Sequence, residues 1–148
     1  MTTTIPAQTA ATATATDEIQ IIQSPPTYED AQLIVQLNMM GTMSGAFHGF
    51  SLLRTFDKPP TLAQALKRYP LGTEEQGHIS AFLGLCETVG TFVRNGVLNE
   101  ALVNDMYAVE NSWTVIEKIA KGMRKQSGEP RMYENAEWLA KRASAPIR

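Results

Sequence analysis

The sequence contains few of the residues that build polar active sites. Cysteine occurs once, at Cys86, and histidine twice, at His48 and His78. A single cysteine excludes an internal disulfide and a cysteine-based zinc cluster, and neither histidine begins a His-x3-His pair that would place two ligands on one helical face. Cys86 itself lies in an apolar stripe, where a thiol is usually buried and unreactive. We therefore expect no catalytic residue, no metal and no cofactor.

Charged residues are also scarce, at 19% of the chain with a net charge of −2, a balance that does not favour nucleic-acid binding. Residues 113–148 carry eight basic and four acidic groups. The basic residues include Lys118, Lys121 and Lys125, which we consider a candidate interaction surface. We expect a protein partner or a homo-oligomer, and no nucleic acid.

Residues 31–53 contain no charged side chain at all, and their length would cross a bilayer. Amides and a histidine interrupt the segment, and such groups are costly in lipid. We therefore expect no membrane span. The chain begins with a stretch rich in Thr and Ala, residues 1–24, which we expect to be a disordered tail. It lacks the features of a secretory signal or a transit peptide, so a cytoplasmic location is expected.

Helix punctuation is abundant in the rest of the chain. Thr27, Thr61 and Thr73 each have Asp or Gln three residues later, a pattern that predicts a capping box at a helix start. Gly96 and Gly128 are positioned to end helices. Pro130 is expected in the first turn of the final helix.

Apolar residues recur with helical spacing, and no stretch alternates with the period of a strand. The sequence predicts an all-α fold, a compact bundle of five or six helices in a single domain over residues 25–145. The predicted core residues are Phe82, Leu85, Val89, Phe92, Trp113 and Ile116.

A second pattern is a glycine at every fourth position of the uncharged first helix, at Gly41, Gly45 and Gly49. In a continuous helix these glycines share one face without side chains. Such a face permits close packing of a neighbouring helix, or forms an interaction surface together with the neighbouring Met39 and Met43. The sequence leaves both interpretations open.

Glu87 is the polar residue that stands out, because it lies in the middle of the most apolar helix. A carboxylate there needs exposure or a cationic partner. We predict a structural ion pair with Arg124, which locks the packing of two helices.

Several segments resemble a bacterial family classified only as a domain of unknown function, DUF4760. The resemblance lies in a glutamate-bearing apolar helix, a glycine stop followed by a cap, a Trp-centred helix ending in Arg, and a closing Glu-Pro-x-x-Tyr-Glu segment. These features occupy residues 86–90, 93–100, 113–124 and 129–139. The resemblance covers residues 60–142 well and the first helix poorly. It implies a cytoplasmic helical domain and provides no catalytic residues.

Two classes of function follow from these observations. The first is a non-catalytic module for protein interaction or self-association, which acts through the glycine and methionine face or through the lysine face. The alternative is a helical protein that binds or hydrolyses a small ligand in a pocket around Glu87, with His48 and Arg124 converging on it. We favour the first, because the sequence offers no set of nucleophile, base and orienting group.

Overall fold

A computed structural model describes residues 24–145 of the 148-residue chain. Within that range it contains seven helices and no strand, so the all-α prediction is confirmed. The helices are α1 (Tyr28–Met43), α2 (Ala46–Leu53), α3 (Leu62–Arg68), α4 (Glu74–Arg94), α5 (Glu100–Met106), α6 (Val109–Ser127) and α7 (Glu134–Ala143). The predicted disordered tail lies outside the described residues, apart from Ser24. No helix in residues 24–145 is both long and apolar enough to cross a membrane.

The helix count exceeds the predicted five or six because the uncharged first segment is two helices. Gly45 adopts a left-handed conformation with φ of 76° and separates α1 from α2. The three spaced glycines therefore do not share a face of one continuous helix, and that prediction is wrong. The break at Gly45 changes the direction of the chain, and α2 packs against α4.

The helix starts follow the predicted caps closely. Thr27 and Thr61 form complete capping boxes, with Asp30 and Gln64 respectively returning the second hydrogen bond. At Thr73 only half of the predicted capping box forms. The Thr73 side chain accepts from the Gln76 backbone N–H at 3.3 Å, but the Gln76 side chain donates to Ser80. Gly96 and Gly128 both take the left-handed conformation with φ of 71° where helices end. Local sequence thus determines most helix boundaries.

The start of the last helix was predicted wrongly. Pro130 lies in a turn, and α7 begins only at Glu134, after Tyr133 with its left-handed φ of 58°. No side chain of that turn caps the helix. The free backbone N–H groups at the N-terminus of α7 therefore need acceptors from another part of the fold.

Helix α4 is central, since it packs against α2 on one side and α7 on the other, with α6 closing the core. The proposed core residues Phe82, Leu85, Val89, Trp113 and Ile116 are buried in it, and Phe92 is half-buried against it. No charged or polar side chain in the described range is fully buried. The interior is consequently held by apolar packing, and the polar contacts lie at its margins.

Candidate functional site

The most polar junction of the fold lies where α7 meets α4. Glu87 of α4 accepts hydrogen bonds from two successive backbone N–H groups, Asn135 at 3.1 Å and Ala136 at 2.9 Å. The Asn135 side-chain amide donates to the other carboxylate oxygen at 2.8 Å. Free N–H groups and the positive end of the helix dipole favour an anion at a helix N-terminus. Glu87 is therefore the cap of α7, supplied from another helix.

A glycine one turn further along α4 makes this approach possible. A Cβ on Gly90 would lie 2.4 Å from the backbone oxygen of Asn135. The Asn135 side chain is fixed on the same helix, since it donates to the Thr91 hydroxyl and accepts from the Arg94 guanidinium, at 3.0 and 2.9 Å. The junction is thus a helix-packing device whose carboxylate is fully engaged.

The predicted ion pair between Glu87 and Arg124 is not formed. Arg124 instead pairs with Glu137 at 2.7 Å and donates to the backbone carbonyls of Met132 and Tyr133, at 2.6 and 3.3 Å. It thereby fixes the turn that precedes α7. The prediction failed because the N-terminus of α7 supplies the positive partner of Glu87, which leaves Arg124 for a second carboxylate.

Acid should weaken the contact between Arg124 and α7. Hydrogen bonds from Lys141 and then from Arg124 hold the pKa of Glu137 below its usual range. A lowered folded-state pKa means that the stabilisation is complete above the unfolded-state pKa, about 4.3, and is lost as the pH falls through the folded value. We expect Glu137→Gln to flatten the decline of the free energy of unfolding between about pH 5 and pH 2. Urea titrations across that range measure it, and an unchanged slope would contradict the assignment.

An apolar cavity of about 330 Å³ lies between α2, α4 and α6. Aromatic rings form much of its wall, and the Phe50 and Phe82 ring centroids lie 4.8 Å apart. Trp113 and Cys86 also line it, and Tyr107 closes one end with its hydroxyl donating to Asn38 at 2.6 Å. A volume above about 300 Å³ with few polar atoms is typical of a small-ligand pocket. Sequence reasoning missed this cavity, because its walls come from segments far apart in the chain.

Burial raises the pKa of the Cys86 thiol to about 12. At pH 8 the reactive thiolate is then about a thousandfold rarer than for an ordinary cysteine, and greater intrinsic nucleophilicity offsets part of that loss. We expect alkylation by iodoacetamide to be about fiftyfold slower in the native chain than in denaturant. Mass spectrometry of timed samples measures both rates, and comparable rates would show that the thiol is accessible and acidic.

The two histidines, isolated in the sequence, lie together in the fold. The Nδ1 atoms of His48 and His78 are 2.9 Å apart, and Nε2 of His78 lies 3.6 Å from Glu74. Such a contact needs one ring to donate and the other to accept. Within residues 24–145, no group of three or more His, Cys, Asp or Glu side chains is placed to hold a metal ion. Thirty residues separate the pair, so no local pattern predicted it.

The three side chains that the alternative pocket around Glu87 requires do not converge in the structure. Glu87 contacts the start of α7, Arg124 contacts Glu137, and His48 contacts His78. The three side chains therefore belong to separate hydrogen-bonded groups. None of the three lines the apolar cavity.

The glycines proposed for an interaction surface face the interior. A Cβ on Gly49 would lie 2.1 Å from the His78 carbonyl oxygen, and one on Gly45 would meet the His78 ring. Gly41 is buried against Phe47 and Leu85. These three positions bring α1 and α2 close to α4, and they leave no groove for a partner.

The methionines beside them are different, because they face solvent. Met39 is 59% exposed and Met43 is 84% exposed, and Val35 and Tyr28 of the same helix are exposed too. Positions 28, 35, 39 and 43 share one side of a helix. We call these four side chains the α1 face. A shallow groove runs beside its end, lined by Gln36, Met39, Met40, Met43 and Ser44.

The lysine face is less distinctive. Lys121 pairs with Glu117 of the same helix at 2.6 Å, and Lys118 and Lys125 are exposed. A solvated helix surface with an internal salt bridge has this arrangement. It therefore provides no separate argument for a partner.

A comparison with protein families finds a match that covers most of the chain. The model of DUF4760, described as a domain of unknown function, matches residues 26–143. Searches of the curated proteins and of the solved structures give no match to the chain. The matched range includes the Glu87 junction, the apolar cavity and the α1 face.

Proposed function

Because the chain belongs to the DUF4760 family, a domain of unknown function whose description names no reaction, we propose a role from its surface. It is a non-catalytic self-association module in which the α1 face binds a second copy of the chain. We also propose a cytoplasmic location in a bacterium, which the family resemblance and the single free cysteine support.

The main observation in support of this proposal is the exposure of large apolar side chains along one helix face. Tyr28, Val35, Met39 and Met43 are each more than half exposed. Single exposed apolar residues are ordinary, but four on one side of one helix, three of them one turn apart at Val35, Met39 and Met43, are typical of a binding surface. Methionine suits such a surface, since its flexible thioether adapts to the partner.

The charge pattern favours a second copy as the partner. Between Asp30 and Arg54 the chain has no charged residue, so two such faces meet without repulsion. A charged partner would gain no electrostatic attraction from this uncharged surface. An antiparallel two-fold pairing of α1 sets Tyr28 opposite Met43 of the other copy, a contact that sulfur and aromatic rings favour.

The size of the face sets the expected strength. Helix α1 has 16 residues, so it is about 24 Å long. One helix face buries less surface area than a standard interface, which covers about 800 Å² on each partner. Association should therefore be weak and reversible, with a Kd on the order of 10–100 µM.

Sedimentation velocity of the full chain across this concentration range tests the proposal. We expect a reversible monomer–dimer equilibrium, and a monomer at all concentrations for Met39→Lys, which places a charge at the centre of the face. The matched control is Ala63→Lys on the exposed side of α3, which adds the same charge elsewhere and should dimerise normally. A parent chain that stays monomeric up to about 300 µM would overturn the proposal.

A further inference from the structure

Among residues 24–145, a single charged residue lines the apolar cavity. Its walls come from α2, α4, α6, α7 and the segment 106–108, and among them only Arg54 carries a charge. No carboxylate in the part of the chain that the structure describes lines the cavity. The cavity thus combines an apolar lining with one cationic side chain.

The guanidinium of Arg54 is available for a ligand. It lies over the Phe50 ring, 5.6 Å from the centroid. In the part of the chain that the structure describes, no hydrogen bond or ion pair engages this side chain. A second exposed arginine that stacks on a phenylalanine, Arg68, also donates to the Thr55 hydroxyl. Arg54 therefore keeps its fork of N–H donors free at the edge of an apolar pocket.

We propose that the cavity bounded by Phe50, Phe82 and Trp113 binds a small amphiphilic monocarboxylate. The apolar body of the ligand occupies the cavity, and its carboxylate pairs with Arg54. Charge complementarity selects this class, since a planar carboxylate matches a guanidinium in a bidentate hydrogen bond. A cationic ligand would meet the like charge of Arg54, and the described residues of the lining offer it no carboxylate.

Trp113 provides a direct reporter of occupancy. The chain has two tryptophans, and the other, Trp138, packs near Arg94 and Arg142 outside the cavity. In the full chain carrying Trp138→Phe, fluorescence comes from a tryptophan in the cavity wall. Octanoate serves as the anionic probe and 1-octanol as its neutral counterpart.

We expect octanoate to change the Trp113 emission saturably with one site per chain. Arg54→Gln should raise the Kd for octanoate about tenfold and that for 1-octanol less than twofold, because only the anion contacts the guanidinium. Arg68→Gln is the matched control and should leave both affinities unchanged. Cys86→Phe, checked for folding by circular dichroism, should abolish both signals by filling the cavity.

Three results would overturn the proposal. The first is the absence of a saturable response to octanoate in the parent chain. The second is an equal affinity for octanoate with and without Arg54, which would mean that the cavity takes neutral apolar groups. The third is an equal loss in the Arg68→Gln control. Failure of self-association has no bearing on any of these results, since residues of the α1 face do not line the cavity.

Discussion

Replacing Glu87 by alanine is expected to lower the free energy of unfolding by about 3 kcal/mol, because three donors at the start of α7 lose their acceptor. Those donors are the Asn135 and Ala136 backbone N–H groups and the Asn135 amide. Glutamine keeps one acceptor oxygen but turns an NH2 group toward N–H donors. Glu87→Gln should therefore cost about 2 kcal/mol. Urea denaturation followed by circular dichroism measures both values.

A surface glutamate provides the control for Glu87. Glu117 of α6 pairs only with the exposed Lys121 of the same helix. Glu117→Ala should cost no more than about 0.5 kcal/mol, since exposed pairs contribute little. If Glu87→Ala unfolds at the same urea concentration as the parent, the cap contributes nothing and the assignment is wrong.

Adding one methyl group at Gly90 is expected to cost about 3 kcal/mol or more, because the new Cβ would lie 2.4 Å from the Asn135 carbonyl oxygen. The nearest atoms belong to backbone, which cannot rotate away as a side chain can. The N-terminus of α7 would have to move off α4, and the hydrogen bonds to Glu87 would lengthen. Thermal and urea unfolding of Gly90→Ala measure the loss.

The same helix contains the matched control. Gly84 is exposed, and a Cβ built on it meets no atom within 4 Å. Gly84→Ala should stabilise the chain by about 0.5–1 kcal/mol, since alanine is the better helix former. We therefore expect alanine to raise the free energy of unfolding at Gly84 and to lower it at Gly90. A Gly90→Ala variant as stable as Gly84→Ala would contradict the close approach of α7.

Local signals in the sequence predicted the helix starts at Thr27, Thr61 and Thr73, because a cap depends on residues three apart. The break at Gly45 was not predictable in this way. Glycine tolerates both the helical and the left-handed conformation, so the local pattern leaves both open. The close packing of Gly45 against His78 of α4 is a contact between distant segments, which the local pattern does not show.

The site residues show the same division. Glu87 was recognised as an unusual carboxylate, but its partner is a helix end whose start was predicted four residues too early. Backbone N–H groups carry no sequence signature, so an arginine was the visible candidate. The segments that resemble the family contain Glu87, Arg94 and Asn135, which meet at the α4–α7 junction. The packing of α7 on α4 therefore explains why these three residues belong to the pattern that resembles the family.

The most direct test of self-association is the methyl NMR spectrum of the full chain, labelled with ¹³C at the methionine ε-methyl groups, recorded from about 10 to 500 µM. We predict that the Met39 and Met43 resonances shift with concentration, and that Met106 does not. Met106 is 53% exposed, close to the 59% of Met39, but it lies at the cavity instead of the α1 face. Resonances that stay fixed, or that all shift equally, would contradict specific association through α1.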